Sequence, residues 1–186
     1  MSEFRFYERQ AAMYTTYHRD WRNRLTHFFG VPAIIFALLV AMGLWRWQVG
    51  GYDVSFGMVF GLAVFVLWLV MDVGIALPLM VLLIPILALA EYVARTVPLT
   101  TALTIFAVFF IGGWVLQLLG HVYEGRKPAL VENLFQIFVA PMFLVAELLF
   151  ALGLRRTLHD RIEAYVRVRY PDFARESGAP EGVRRA

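Results

Sequence analysis

The sequence contains no cysteine. This absence excludes disulfide bonds, iron–sulfur clusters and thiolate zinc sites, so any bound metal must be held by nitrogen and oxygen ligands. Charge is also scarce, because only 17% of the 186 residues are charged, whereas about a quarter is usual for a soluble domain. Together with a hydrophobic fraction of 60% and a mean hydropathy of +0.65, the low charge predicts an integral membrane protein.

The sequence predicts neither a cleavable signal peptide nor a basic domain that binds nucleic acid. The first 27 residues contain five arginines and three acidic residues, without the short apolar core and small-residue cleavage site of a signal peptide. We therefore expect the first apolar run to remain as a membrane anchor. The net charge is +3, but the arginines flank apolar segments instead of forming a basic domain, so no nucleic-acid partner is predicted.

Five apolar segments follow a polar and aromatic stretch over residues 3–25, which we interpret as an interfacial helix. The first four runs have roughly the length needed to span hydrocarbon, and Gly50-Gly51 and Asp72-Val73-Gly74 are predicted turns between them. The four runs are residues 28–47, 54–71, 75–93 and 99–119.

The fifth apolar segment, residues 129–154, differs because Pro141 interrupts it and polar side chains recur along it. At about 100° per residue these side chains form one stripe, which should face the bundle interior or a wet cavity. We expect the last of them, Glu147, to lie deepest, where a carboxyl group can be protonated. The stripe consists of Glu132, Asn133, Gln136 and Glu147.

The predicted fold is all-α: a polytopic membrane helical bundle of four to five apolar segments, with an N-terminal interfacial helix and a C-terminal amphipathic helix. Residues 1–170 are predicted to form a single membrane-embedded domain, and residues 171–186 a polar tail. The amphipathic helix is expected to lie on the surface. Its apolar positions are Leu158, Ile162, Tyr165 and Val166.

The distribution of lysine and arginine bears on topology. Five precede the first apolar run and eight follow Leu154, so the positive-inside rule predicts that both termini are cytoplasmic. Five complete spans would separate the termini, and we therefore interpret the fifth segment as broken or non-spanning. In either case His18, His27 and His121 lie on the same side, which we expect to be the cytoplasmic face of a bacterial inner membrane, or of the endoplasmic reticulum in a eukaryote.

Those three histidines are candidate metal ligands. Neutral imidazole is the commonest protein metal ligand near neutral pH, and three imidazoles without thiolate suit iron(II), zinc, copper or nickel. The alternative is that they are interfacial residues bonded to backbone or lipid headgroups. The fourth histidine, His159, lies among charged residues and is predicted to be solvated.

A shared metal site requires a helix break. His18 and His27 are nine positions apart and would lie on opposite faces of one straight helix. Asn23 or Thr26 is predicted to cap a new helix and supply the break. Asn23 and His27, four positions apart, would then share a face.

Several polar residues are candidates for orienting the ligands or contacting substrate. Gln117 and Glu124 can reach the same side of a helix end as His121, and Glu124 is expected to orient an imidazole. Arg126 is expected to pair with an acidic lipid or a substrate carboxylate, or else to act as a topology anchor. The complete set is Asn23, Gln117, Glu124, Arg126, Glu132, Asn133 and Gln136.

Two motifs carry a resemblance to a known family. The first reads Tyr17-His18-x4-Asn23-x3-His27-x2-Gly30-Val31-Pro32, and the second reads Gly120-His121-x2-Glu124-Gly125-Arg126-x-Pro128-Ala129-Leu130. In order and spacing they resemble the small membrane 2-hydroxy fatty acid dioxygenases, over approximately residues 5–155.

The resemblance implies an Fe(II)-dependent enzyme that shortens 2-hydroxy fatty acids by one carbon with O2, an α-oxidation step. It implies His18, His27 and His121 as the iron ligands, with no catalytic residue beyond them. Three imidazoles would leave positions on iron for O2 and for the carboxylate and hydroxyl of the substrate. A metal site at the interface suits a substrate whose headgroup meets water while its tail lies among membrane lipid.

Two other function classes stay open. One is a non-enzymatic membrane carrier or assembly module, which would be more sensitive to changes at Glu132, Gln136 or Glu147 than at the histidines. The other is a zinc-dependent lipid hydrolase, which would be indifferent to O2. The sequence defines no oligomeric state.

Overall fold

Seven α-helices and one β-hairpin make up the residues that the structure describes, namely 4–125, 128 and 133–172. The structure is a computed structural model, and its nearly all-α architecture confirms the predicted fold class. In chain order the elements are α1 (Phe6–Thr16), α2 (Trp21–Gly43), β1 (Arg46–Val49), β2 (Tyr52–Ser55), α3 (Phe56–Met71), α4 (Val73–Thr96), α5 (Leu99–Glu124), α6 (Gln136–Ala151) and α7 (Arg156–Arg169).

Three helices of the described chain, α2, α4 and α5, are long and apolar enough to cross a membrane. The shorter α3 has 16 residues, about 24 Å at 1.5 Å per residue, against a hydrocarbon thickness of about 30 Å. It nevertheless connects the two ends of the bundle. We call the end with β1 and β2 the hairpin end, and the end with α1, α7 and Asp72 the site end.

The first apolar run ends earlier than predicted. Helix α2 stops at Gly43, and residues 46–55 form an antiparallel hairpin in which Val49 pairs with Tyr52. The predicted turn at Gly50 and Gly51 is confirmed, with φ of 59° and 85°, values that favour glycine and that a two-residue hairpin loop requires. Because two-residue turns of this type match the twist of the flanking strands, the strands that were not predicted form around it.

Helices α3 and α4 are separated by the single residue Asp72, which confirms the predicted tight turn. Its side chain accepts a hydrogen bond from the backbone N–H of Ile75 at 3.1 Å, so it caps α4. The guanidinium of Arg155 binds the same carboxylate at 2.6 Å, which ties the start of α7 to this turn.

The predicted interruption at Pro141 is wrong, because α6 runs continuously from Gln136 to Ala151. Residues 141–146 are all buried, and packing of this extent stabilises a helix beyond what its local propensities provide. Of the predicted fifth segment, residues 129–132 lie outside the described residues.

Both ends of α6 lie at the site end. The Gln136 side chain donates to the Gln10 side chain of α1 at 2.8 Å, and Glu147 forms an ion pair with Arg24 near the start of α2. Both ends of α6 therefore contact elements of the site end, and α7 leaves it at an angle of 117°. Four passes, α2 to α5, precede it, and this geometry agrees with the expectation that the fifth segment does not span.

Helix α1 and the amphipathic helix α7 pack on each other at the site end. In α1, Tyr7, Ala11 and Ala12 are at most 1% exposed, and the predicted apolar face of α7 is buried in the same core. An ion pair of 2.6 Å joins Glu8 of α1 to Arg161 of α7. Each helix covers the apolar face of the other, and the interfacial position of α1 and the surface position of α7 stay predictions.

Candidate metal centre

The loop between α1 and α2 presents His18 to the rest of the site. The predicted helix break is confirmed, but its cap is Asp20, whose side chain accepts from the backbone N–H of Arg22 at 2.8 Å. Neither Asn23 nor Thr26 has this role, because both lie inside α2. The carboxylate of Glu124 accepts from the backbone N–H groups of Arg19 and Asp20, each at 2.9 Å, and holds the loop against the end of α5.

Close packing of α2 on α5 brings the second and third histidines together. A Cβ on Gly113 would lie 3.0 Å from the backbone oxygen of Gly30, so only glycine allows this approach. At Gly120 a Cβ would collide with the side chains of Asn23 and Thr26. Small residues at such contacts let helix backbones approach closely, and His27 therefore lies beside His121.

His18, His27 and His121 form one buried cluster. Their exposed fractions are 1%, 3% and 7%, and one ring nitrogen from each lies within 4.8 Å of the others. Metal ions bind imidazole nitrogen at about 2.0–2.1 Å, so small ring movements would bring all three nitrogens to a common ion. His159 lies outside the cluster, half exposed and 3.5 Å from Asp160, as expected.

The hydrogen bonds of His18 and His27 define their tautomers. The Nδ1–H of His18 donates to the backbone oxygen of Tyr14, and that of His27 to the backbone oxygen of Asn23, each at 2.8 Å. A neutral imidazole that donates from Nδ1 carries a lone pair on Nε2. The two Nε2 atoms lie 3.1 Å apart, so two lone pairs face each other, an arrangement that a cation between them would stabilise.

Protonation is an unfavourable way to relieve that repulsion. Burial holds the pKa of the His18 imidazole well below its usual range, because desolvation penalises the charged ring and His27 adds to the shift. The Nδ1 atom of His121 is also buried and finds no hydrogen-bond partner among the described residues. The donor set is therefore neutral, entirely nitrogen and suited to a transition metal ion.

Asn23 and Glu124 support the cluster from outside. Besides accepting from His27 through its backbone, Asn23 donates from its side chain to the Glu124 carboxylate at 3.0 Å. Glu124 was expected to orient an imidazole, and it reaches His27 only through Asn23 and the loop backbone. Asn23 lies in the first histidine motif and Glu124 lies in the second, so the hydrogen bond between their side chains connects the two motifs.

A cavity of about 350 Å³ opens beside the histidines. Gln117 and Gln136 line it, and each has a buried side-chain atom, Gln117 Nε2 and Gln136 Oε1, that finds no partner in the described chain. Buried polar atoms without partners are rare in proteins. Both glutamines lie at the cavity wall, so their amide groups are candidate partners for a polar ligand there.

Asn133 is not among the described residues that line the cavity. Asn133 accepts from the backbone N–H of Phe135 at 3.0 Å at the start of α6. The expectation that Glu147 lies deepest is corrected, because Glu147 is partly exposed and ion-paired with Arg24, whose guanidinium also donates to the His18 backbone oxygen at 3.0 Å. Arg126 and Glu132 lie outside the described residues.

Aromatic residues that were not predicted complete the site. The ring of Tyr14 stacks on His18, with centroids 3.8 Å apart and an interplanar angle of 4°. Phe110 and Trp114 of α5 line the cavity above Gln117. The spacing of four between Tyr14 and His18 was an available signal, because residues four apart share a helix face, but no pattern indicated which rings would stack.

Comparisons with known proteins indicate the family of this chain. A family model described as "2-hydroxy-palmitic acid dioxygenase Mpo1-like" matches residues 4–152. The chain belongs to this Mpo1-like family. The 2-hydroxy-palmitic acid dioxygenase MPO1 of Saccharomyces cerevisiae is 30% identical over 161 residues, which cover 83% of this chain and 86% of the yeast protein. No solved structure matches. All three clustered histidines lie within the part of the chain that the Mpo1-like family model matches.

Proposed function

We propose that this protein is an Fe(II)-dependent dioxygenase that shortens 2-hydroxy fatty acids by one carbon with O2, and that His18, His27 and His121 bind the iron. The observation that carries the proposal is the pair of Nε2 lone pairs facing each other at 3.1 Å, with the third imidazole beside them, at the wall of an apolar cavity. Membership of a dioxygenase family supports the reaction class.

The donor set supports iron over metals that need other ligands. Three neutral imidazoles without thiolate suit iron(II) among the transition metals, and they leave coordination positions free. When bound, the iron would supply the activation of O2 and the site at which the substrate carboxylate and 2-hydroxyl are held.

The chain's own contribution is to position the substrate headgroup. A carboxylate beside the histidines would accept a hydrogen bond from the orphaned Nε2–H of Gln117, and a 2-hydroxyl would donate to the orphaned Oε1 of Gln136. The side chain of Gln136 is oriented for this task, because its Nε2 already donates to Gln10 at 2.8 Å. The apolar walls beyond the two glutamines would exclude water and hold the alkyl chain.

The decisive test is an anaerobic incubation of metal-analysed protein with a 2-hydroxy fatty acid, followed by addition of O2. We expect iron near one equivalent, no turnover before O2, and a product one carbon shorter by mass spectrometry afterwards. Zinc in the protein with O2-independent turnover would instead establish a hydrolase. Ligand binding that is indifferent to metal removal would establish a carrier.

The site end is proposed to face the cytoplasm, at the inner membrane if the source is bacterial. The arginines of the loop that holds His18 and those of α7 lie at this end, as the positive-inside rule requires. Since the chain has no native cysteine, Asp160→Cys at the site end and Tyr52→Cys at the hairpin end provide single labels. An impermeant thiol reagent applied from outside intact cells should label only the hairpin-end variant, and the reverse pattern would contradict the orientation.

A further inference from the structure

A second apolar cavity, of about 370 Å³, lies against the cavity of the histidines. The two share four lining residues, Ile35, Leu38, Ile137 and Pro141. We propose that the second cavity binds the distal part of the substrate's alkyl chain, and that Leu38 and Ile137 at the junction govern which chain lengths are used. This inference rests on the proposed function and adds the residues that would select the substrate.

The lining along α2 places the two cavities one after the other. Starting at His27, one stripe of α2 lines the first cavity and then, beyond Leu38, the second, as far as Met42. Leu38 follows His27 by eleven positions, about 16 Å along the helix, and Met42 lies about 22 Å from His27. An alkyl chain whose headgroup lies at the histidines therefore enters the second cavity only where it extends beyond about 16 Å.

The chemistry of the second cavity fits an unbranched alkyl chain. Every residue that lines it is apolar or glycine, and the indole N–H of Trp68 donates to the backbone oxygen of Phe138 at 2.9 Å. Three of the lining residues are methionines, whose flexible side chains adapt to irregular apolar ligands. These are Met42, Met58 and Met80.

Continuity with the first cavity favours the substrate over a bilayer lipid as the occupant. The second cavity joins the space that ends at the two orphaned glutamine atoms and the histidines, so a chain that fills both has its polar end where those atoms lie. A phospholipid tail entering the second cavity would leave its headgroup away from them.

Chain-length dependence provides the first test. Each buried methylene contributes about fourfold to binding, so closing the junction against about three methylenes should cost roughly 60-fold in kcat/KM. We expect Leu38→Trp to lower kcat/KM for a long-chain 2-hydroxy fatty acid about 60-fold more than it lowers kcat/KM for a short-chain one. The matched control is Leu82→Trp, at a half-exposed position of α4, which should leave both substrates unaffected. Equal losses for both chain lengths would overturn the inference while leaving the proposed function intact.

Photocrosslinking of the unmodified protein provides a test that needs neither turnover nor a folded variant. A 2-hydroxy fatty acid with a diazirine at the end of its tail should label Met58 of α3 or Met80 of α4, and excess unlabelled substrate should prevent the labelling. A phospholipid with the same diazirine-bearing tail should label lipid-facing positions instead. Equal labelling of the two methionines by the phospholipid, or labelling by the fatty acid that avoids them, would overturn the inference. Labelling as expected in a protein without turnover would instead contradict the proposed function.

Discussion

The hairpin end buries polar groups between β1, β2 and α4, and the site end buries them between the α1–α2 loop, α2, α5 and α6. At the hairpin end, Arg46 donates to Asp53 at 2.9 Å and to Glu91 at 2.8 Å, and the hydroxyl of Ser55 donates to Glu91. Each charged group there meets an opposite charge within the protein, so that network stabilises the fold and requires no ligand.

At the site end, ion pairs hold the frame, whereas several other buried side-chain atoms find no partner in the described chain; they belong to Arg19, Asn23 and three residues that line the cavity. Arg24 with Glu147 and Glu8 with Arg161 are ion pairs. Gln117 Nε2, His121 Nδ1 and Gln136 Oε1, by contrast, find no partner within the described chain. From this comparison we infer that the unpartnered side-chain atoms of the cavity-lining residues are the groups that would bind a ligand. It predicts that changes at the site end alter metal and substrate binding, while changes at the hairpin end alter stability.

The largest expected effect is that of removing a histidine. His27→Ala should abolish both iron binding and turnover, because two remaining imidazoles in a cavity of this shape hold the ion weakly. Helical content by circular dichroism should be retained. Metal analysis of the purified variant is the measurement, and Ser55→Ala at the hairpin end is the control that should keep its iron. If His27→Ala retained its full iron content, His27 would not be an iron ligand.

The next largest effect is expected at the hairpin end. Glu91→Leu leaves Arg46 with one carboxylate partner fewer, and breaking a buried pair costs about 3 kcal/mol. The thermal unfolding temperature should fall clearly while iron stoichiometry stays near wild type. Glu91→Gln, which keeps the hydrogen bond with Ser55, should lose less. Loss of iron in proportion to loss of stability would show that the two ends are not separable.

A smaller and more specific effect is expected at Gln117. A hydrogen bond to a charged group contributes about 1.5–3 kcal/mol, so Gln117→Leu should raise KM for a 2-hydroxy fatty acid about 10-fold to 100-fold. Because the change also removes an unpartnered buried amide, the unfolding temperature should stay constant or rise. Steady-state kinetics and thermal unfolding of the same preparation test both parts. An unchanged KM with reduced stability would assign Gln117 a purely structural role.

The smallest expected effect concerns the helix contact behind the histidines. Gly120→Ala forces a methyl group against Asn23 and Thr26, which should shift α2 from α5 and weaken iron binding about 10-fold. Gly112→Ala on the same helix is the matched control, because a Cβ there meets nothing within 4 Å. Iron affinities measured by competition with a chelator should separate the two variants. Equal affinities would show that the backbone approach at Gly120 does not position His27.

Sequence patterns predicted the parts of this structure that depend on local chemistry. Hydrophobic length indicated the membrane helices, the glycine pair indicated the turn at Gly50 and Gly51, and the incompatible spacing of His18 and His27 required a helix break. These features follow from the chain's own geometry and solvation, so they could be recognised without knowing what packs against them.

Other features were beyond sequence patterns because they depend on distant partners. Asp20, not Asn23, caps α2 because Glu124 of α5 already engages Asn23 and the loop. Pro141 lies within a continuous helix because its neighbours are buried, and Glu147 is paired because Arg24 lies opposite it. In each case a tertiary contact outweighs a local preference, and such contacts are worth more than the fraction of a kcal/mol that separates local conformations.

The amino-acid sequence alone determined three features: the order of the apolar segments, the absence of thiolates and the position of three histidines at one end of the membrane bundle. It could do so because solvation in lipid and ligand chemistry act residue by residue. The tertiary structure determined three other features. These are the pair of ring nitrogens that face each other, the glutamine atoms without partners in the described chain, and the adjacency of the two cavities. Those features arise from the approach of α2, α5 and α6, and that approach is set by close packing between residues far apart in sequence.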